Sequence, residues 1–197
     1  MCETNSFSGG GRPGVSDTFM GALWTLDFML LLMQYGCAGV NIETGVNQLG
    51  FISSYSPIQD DGKGLNAIGA PYYGMLAFAQ AMAGSDEILP IDFDPRGVNV
   101  TAYVLGHQRK PRSIIAVNRD THDVEISIAQ SRIGNVSALR MSAPSPDSKS
   151  NVTLGGASVD QDGRWMMKIQ EQISRGIVSV PKMSAVVLRS ANRHSHS

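Results

Sequence analysis

Residues 3–17 read Glu3-Thr4-Asn5-Ser6-Phe7-Ser8-Gly9-Gly10-Gly11-Arg12-Pro13-Gly14-Val15-Ser16-Asp17, and they lead into an apolar stretch from Phe19 to Met33. Glu3 stands at what reads as a strand end, and a glycine loop follows it at once. Ser16 is a good N-cap, Asp17 suits the positive end of a helix dipole, and Gly36 is placed to stop the helix. A strand-like segment, Cys37 to Gly45, then carries a second carboxylate, Glu43, and after a long loop Pro71 opens a second helix through Met82 to Gly84. Strand end, helix, strand, helix fits the last two units of a (β/α)8 barrel, where catalytic side chains sit at the C-terminal ends of the strands. Glu3 and Glu43 occupy that end in both units.

From about Glu87 the texture changes. Ile88–Phe93, Val98–Leu105, Ser113–Asn118, Val124–Ala129, Val136–Met141, Ser150–Leu154, Trp165–Ile169 and Ile177–Arg189 read as short strands, separated by turn signals such as Asp94-Pro95-Arg96-Gly97 and Asp160-Gln161-Asp162-Gly163. Strands at this spacing predict an antiparallel sandwich with one solvated face on each sheet. The expected fold class is an α+β composite: residues 1–85 a barrel remnant, residues 86–191 a β-sandwich, residues 192–197 a flexible tail.

Composition narrows the function. The 197 residues are 42% hydrophobic and 17% charged, and sixteen basic against seventeen acidic residues leave a net charge of −1 without clustering. Neither a nucleic-acid tract nor a membrane-surface patch is suggested. Phe19–Val40 is about long enough to span a bilayer, but Asp27 in its middle favours a buried helix with a polar partner in the barrel wall. No basic, apolar leader begins the chain. Cys2 and Cys37 are expected roughly 15 Å apart as free thiols. His107, His122, His194 and His196 form no metal spacing and no triad, so neither metal nor cofactor is expected. Asn99-Val-Thr, Asn135-Val-Ser and Asn151-Val-Thr match the glycosylation sequon but are read as ordinary strand residues.

The segment Glu3 to Gly11, continued by Gly14 to Phe19, Ala22-Leu23-Trp24 and Leu26-Asp27, resembles the nucleophile segment of glycoside hydrolase family 79, the retaining β-glucuronidases and heparanase-like enzymes. Gly39-Val40-Asn41 is similar to that family's last barrel strand, Tyr55-Ser56-Pro57-Ile58 to the loop after it, and Pro71 to Phe78 to its final helix. Val152 to Val159 and Asp162-Gly163-Arg164-Trp165 resemble the C-terminal β-domain of bacterial members. The resemblance covers Glu3 to about Leu188.

It implies that Glu3 attacks the anomeric carbon and forms a glycosyl-enzyme ester, opposite a second carboxyl about 5 Å away that serves as acid and base. It also implies that the Gly10 backbone and Tyr55 contact the uronate carboxylate of a β-glucuronide, with Ser8 standing where some relatives carry tyrosine. Glycines permit the close approach that such an anion contact needs. The family's acid/base glutamate follows an asparagine on an earlier strand, and no Asn-Glu pair occurs in this chain. Glu43 reads as a polar rim residue, and Arg12 as a solvated loop cation. The expectation is a fragment that is inactive until the missing N-terminal barrel half completes it, with an extracellular or periplasmic setting implied by the family. The alternative is a stand-alone carbohydrate-binding or structural sandwich.

Overall fold

The computed structural model describes residues 3–44, 52–60, 64–129, 131–173 and 176–190. Cys2, His194, His196 and the tail lie outside them. The first helix, α1 (Phe19–Gln34), and the second, α2 (Ala70–Met82), pack on each other. Gly74 of α2 makes the close approach possible, because a Cβ there would stand 2.8 Å from Thr25 Cβ and 3.0 Å from the Leu26 nitrogen. Between the helices lies a small hairpin of β1 (Ile58–Asp60) and β2 (Leu65–Ile68).

The remaining strands are β3 (Glu87–Leu89), β4 (Val100–His107), β5 (Lys110–Asn118), β6 (Val124–Ser127), β7 (Val136–Ser142), β8 (Thr153–Leu154), β9 (Glu171–Ile173), β10 (Ile177–Val180) and β11 (Ser184–Ser190). Seven of them form one sheet in the order β3-β4-β5-β11-β7-β8, with β9 also on β7, while β6 and β10 form a two-stranded sheet. All the pairings are antiparallel.

The period-two alternation of these strands sorts their side chains onto two cores. Tyr103, Leu105, Ile115, Val117, Leu139, Met141, Ala185 and Val187 join Phe19, Leu23, Leu26, Leu30, Tyr73 and Ala77 of the helices. Val104, Ile114, Ala116, Ala138, Val186 and Leu188 meet Ile126, Val178 and Val180 of the small sheet. The expected solvated face on each sheet is therefore corrected for the large one: it is buried on both sides, which is why β5 and β11 read as unbroken apolar runs rather than alternating ones.

The helix boundary moves too. Thr18, not Ser16, is the N-cap, and it makes no side-chain cap. The Ser16 hydroxyl is engaged upstream, accepting from Arg12 N at 3.1 Å and from Ser6 Oγ at 3.0 Å. The orphan amides of Phe19 and Met20 instead donate to the carbonyls of Ser148 (2.8 Å) and Pro146 (3.0 Å), in the turn after β7. Asp17 accepts from Gly14 N at 2.6 Å and pairs with Lys149 at 2.7 Å. At the other end Gly36, at φ 82°, closes the helix, its amide on Met33 O and that of Cys37 on Leu32 O.

Several strand expectations change: Ile88–Phe93 ends at Leu89, Ser150–Leu154 shrinks to Thr153–Leu154, and the long loop before Pro71 holds β1 and β2. Of the expected strand Cys37–Gly45, the described residues 37–44 contribute a single bridge at Ile42, Gly45 lies outside the described residues, and the half-buried Cys37 is a free thiol. Trp165–Ile169 forms no strand ladder, and Lys168 and Ile169 both give their amides to Gly155 O. Ile177–Arg189 divides at Pro181-Lys182-Met183 into β10 and β11, which serve different sheets; proline has no amide to continue a ladder, and Met183 turns at φ 47°.

Candidate active site

The segment carrying Glu3 and the segment carrying Glu43 lie side by side. Thr4 and Ile42 form a parallel bridge, with Thr4 N donating to Asn41 O at 3.0 Å and Glu43 N to Thr4 O at 3.5 Å. Because side chains alternate along extended chain, Glu3 and Glu43 share the face opposite to Thr4 and Ile42. Glu3 is exposed, and its carboxylate takes no hydrogen bond or ion pair among the described residues. Asn5, next on the same face, donates from Nδ2 to the Glu43 carbonyl at 3.1 Å.

The glycine loop turns onto the segment at Ser54 and Tyr55. Gly9, Gly10 and Gly11 all have positive φ, at 66°, 88° and 86°, conformations that a side chain would strain. Gly10 is buried and its carbonyl accepts from Ser54 N at 2.7 Å. A Cβ on Gly11 would meet Tyr55 Cδ1 and Tyr55 N at 3.0 Å, so the loop packs directly on the Tyr55 segment.

Tyr55 is 4% exposed and donates its hydroxyl to Glu43 Oε2. Burial and the adjacent Glu43 carboxylate push the phenol above its ordinary pKa, while bonds from Ser53 and the Gly10 backbone pull weakly the other way. The hydroxyl therefore stays a donor across the physiological range, and it fixes the Glu43 carboxylate. Ser8 and Arg12 are exposed in the same loop, without side-chain hydrogen bonds among the described residues. Glu3, Glu43, Gly10 and Tyr55 are thus brought into one neighbourhood. The Tyr55–Glu43 bond is the feature that sequence reading missed: the residues are 12 apart and no periodicity links them.

Asp27 has partners, but not in a barrel wall. It is 8% exposed, and its carboxylate accepts from Thr101 Oγ1, from Tyr103 Oη at 3.0 Å and from the Arg119 guanidinium. All three donors come from the sheet side, and the buried Tyr103 phenol is pushed far above its usual range by burial and by Asp27. This clasp fixes α1, and with it the segments at either end that carry Glu3 and Glu43, to the sheet.

A groove of about 1070 Å3 lies elsewhere, between Leu89–Val98, β4 and β6. None of Glu3, Ser8, Gly10 or Tyr55 lines it, and Phe93 is its one aromatic lining residue. Among the described residues there is no metal-ligand cluster of three or more and no helix long and apolar enough to cross a membrane.

The fold is one found in glycoside hydrolases. The chain superposes on a 4-O-α-L-rhamnosyl-β-D-glucuronidase from Fusarium oxysporum 12S, solved with Rha-GlcA, at a TM-score of 0.75 and 20% identity over 95% of this chain and 42% of that one. A family 51 arabinofuranosidase from Xanthomonas axonopodis pv. citri matches at 0.58 and 15% identity, over 89% of this chain and 36% of its own. In sequence the chain is 31% identical over 139 residues to a β-glucuronidase of Neurospora crassa, covering 64% of this chain and 24% of that protein. It is 36% identical over 108 residues to one of Aspergillus niger, covering 52% and 19%. No protein-family model matches. The chain is similar to part of a β-glucuronidase-type glycoside hydrolase, as its first segment implied, and it spans about a quarter or less of the curated relatives it matches.

Proposed function

We propose that this chain is the C-terminal portion of a retaining β-glucuronidase-type hydrolase, with residues 1–85 supplying the last two barrel units and residues 86–191 a bracing β-domain. The observation that carries the reading is the parallel Thr4–Ile42 bridge, which puts Glu3 and Glu43 on one face of the paired segments. Glu3, exposed and unpaired, is the nucleophile: its carboxylate oxygen bonds to the anomeric carbon as the aglycone leaves, and water later releases the sugar. Glu43 is a rim carboxylate held through Oε2 by Tyr55, not the proton donor, because it stands on the same face as Glu3 whereas the donor must lie on the opposite side of the glycosidic bond. Gly10 and Tyr55 shape the uronate end of the pocket, and Ser8 its edge.

The acid/base and the other barrel strands belong to the remainder of the polypeptide. The outer side of α1 supports this, since Leu31 and Tyr35 are 39% and 79% exposed and the stacked rings of Trp24 and Phe28 are only half-buried. A stand-alone sugar-binding module is less well supported. Trp165 is turned inward, donating Nε1 to Leu154 O at 3.0 Å, and offers no open aromatic platform.

The test is hydrolysis of an aryl β-glucuronide by the pure chain and by the chain co-expressed with the part of the Neurospora crassa relative that it does not span. No turnover alone, turnover on complementation and its loss in Glu3→Gln are expected. Turnover unaffected by Glu3→Gln would overturn the assignment.

A further inference from the structure

Three triplets play no part in this chemistry: Asn99-Val100-Thr101, Asn135-Val136-Ser137 and Asn151-Val152-Thr153. Expected to be ordinary strand residues, all three asparagines instead lie outside strands and are exposed. Asn99 and Asn135 immediately precede β4 and β7, and Asn151 stands two residues before β8. Turn chemistry explains the difference. Gly97 (φ 81°) and Gly134 (φ 76°) turn the chain just before Asn99 and Asn135, and Asn151 itself takes φ 58°, which asparagine tolerates well. The valine after each asparagine then dives inward, being 6%, 0% and 1% exposed at Val100, Val136 and Val152.

The three amide groups are also unused, with no side-chain hydrogen bond among the described residues. Asn118 behaves differently: it is fully buried and its Nδ2 donates to the carbonyls of His122 and Val180 at 2.9 Å. The positions are spread over the sheet rather than packed into it. Val100 lies opposite Asn118, and Thr153 opposite Ser142, at one end of the strands; Val136 lies opposite Ser190 at the other. A bulky substituent at any of the three projects off a sheet end, clear of both faces that pack on the helices and on the small sheet.

We propose that Asn99, Asn135 and Asn151 are acceptor sites for N-linked glycosylation by a polyprenyl-diphosphate oligosaccharide. In each case Nδ2 forms a bond to C1 of the terminal sugar, the C1–O bond to the diphosphate breaks, the polyprenyl diphosphate leaves with the electron pair, and one amide proton is lost. The hydroxyls at the third position set the timing. Thr101 Oγ1 donates to Asp27, and Ser137 is 5% exposed, so a transferase that reads these hydroxyls must act before the sheet closes on α1.

The full chain, placed behind a cleavable secretion signal and translated with endoplasmic-reticulum microsomes, tests this without requiring activity or complete folding. Protease protection identifies the translocated molecules. Three peptide:N-glycosidase-sensitive mass increments are expected, with Asn99→Gln, Asn135→Gln and Asn151→Gln each removing one, and prefolded chain given the solubilised transferase and lipid-linked donor stays unmodified at Asn99. A protected chain without any glycosidase-sensitive increment overturns the proposal. A substitution that leaves the increments unchanged overturns it for that asparagine, and modification of prefolded chain at Asn99 overturns the timing.

Discussion

Asp27 is the residue on which the architecture turns. A carboxylate in so apolar a helix requires donors, and that much is legible from sequence; which donors is not, because Thr101, Tyr103 and Arg119 are 74, 76 and 92 residues away. Asp27→Ala strands a buried phenol and a half-buried guanidinium, so a loss of about 3 kcal/mol is expected, read as a lower denaturation midpoint; an unchanged midpoint would show that the clasp is not energetically coupled to the fold. Two pH limbs follow from other single groups. Asp120, in an exposed turn, accepts from the amide of Asn99 at 2.9 Å and is held at about 2, below its ordinary 3.8, by that bond first and by His122 second. A depressed carboxylate stabilises above its unfolded pKa, so its contribution is lost between about 4 and about 2, and Asp120→Asn should flatten the acid limb of a stability profile. Tyr103 and Tyr55 are shifted upward, chiefly by burial. Their contribution is complete below the ordinary phenol value of 10.0 and falls as pH rises above it, which thermal melts on the alkaline side would register.

At the scale of elements, the two helices and the glycine loop were legible because their signals are local: an unbroken apolar stretch, Pro71 at the start of α2, and Gly36 at the end of α1. The helix cap was not, since Ser16 has the right chemistry but is already bonded to Arg12 and Ser6, and carbonyls from the turn at Pro146 and Ser148 take its place. The sheets were legible as strands but not as layers. A buried face and a solvated face give different patterns only when one side is open, and the large sheet has neither side open. The α1–α2 crossing depends on Gly74, so Gly74→Ala should cost about 1–3 kcal/mol through overpacking against Thr25 and the Leu26 backbone. Equilibrium unfolding of that variant measures it, and wild-type stability would mean that the crossing relaxes freely.

For the whole molecule, one core joins helices and sheet across the change of texture near Glu87. The account predicts a single cooperative transition rather than a sandwich that outlasts its helices. Trp24 on α1 and Trp165 beside the sheet are natural reporters, and fluorescence from Trp24→Phe and Trp165→Phe should each coincide with the circular-dichroism transition of the same variant; separated transitions would divide the chain into two units. The candidate site was legible in part, because Glu3 and the glycine loop are contiguous in sequence, whereas the Tyr55–Glu43 bond joins residues 12 apart that no local pattern links. The central claim is that Glu3 is a glycosyl nucleophile. The most direct measurement is peptide mapping of the complemented protein after exposure to 2-deoxy-2-fluoro-β-glucuronyl fluoride, whose leaving group departs without the acid carboxyl. The account predicts a covalent sugar on the peptide containing Glu3, and a label on Glu43, or none in a preparation that hydrolyses aryl glucuronides, would contradict it.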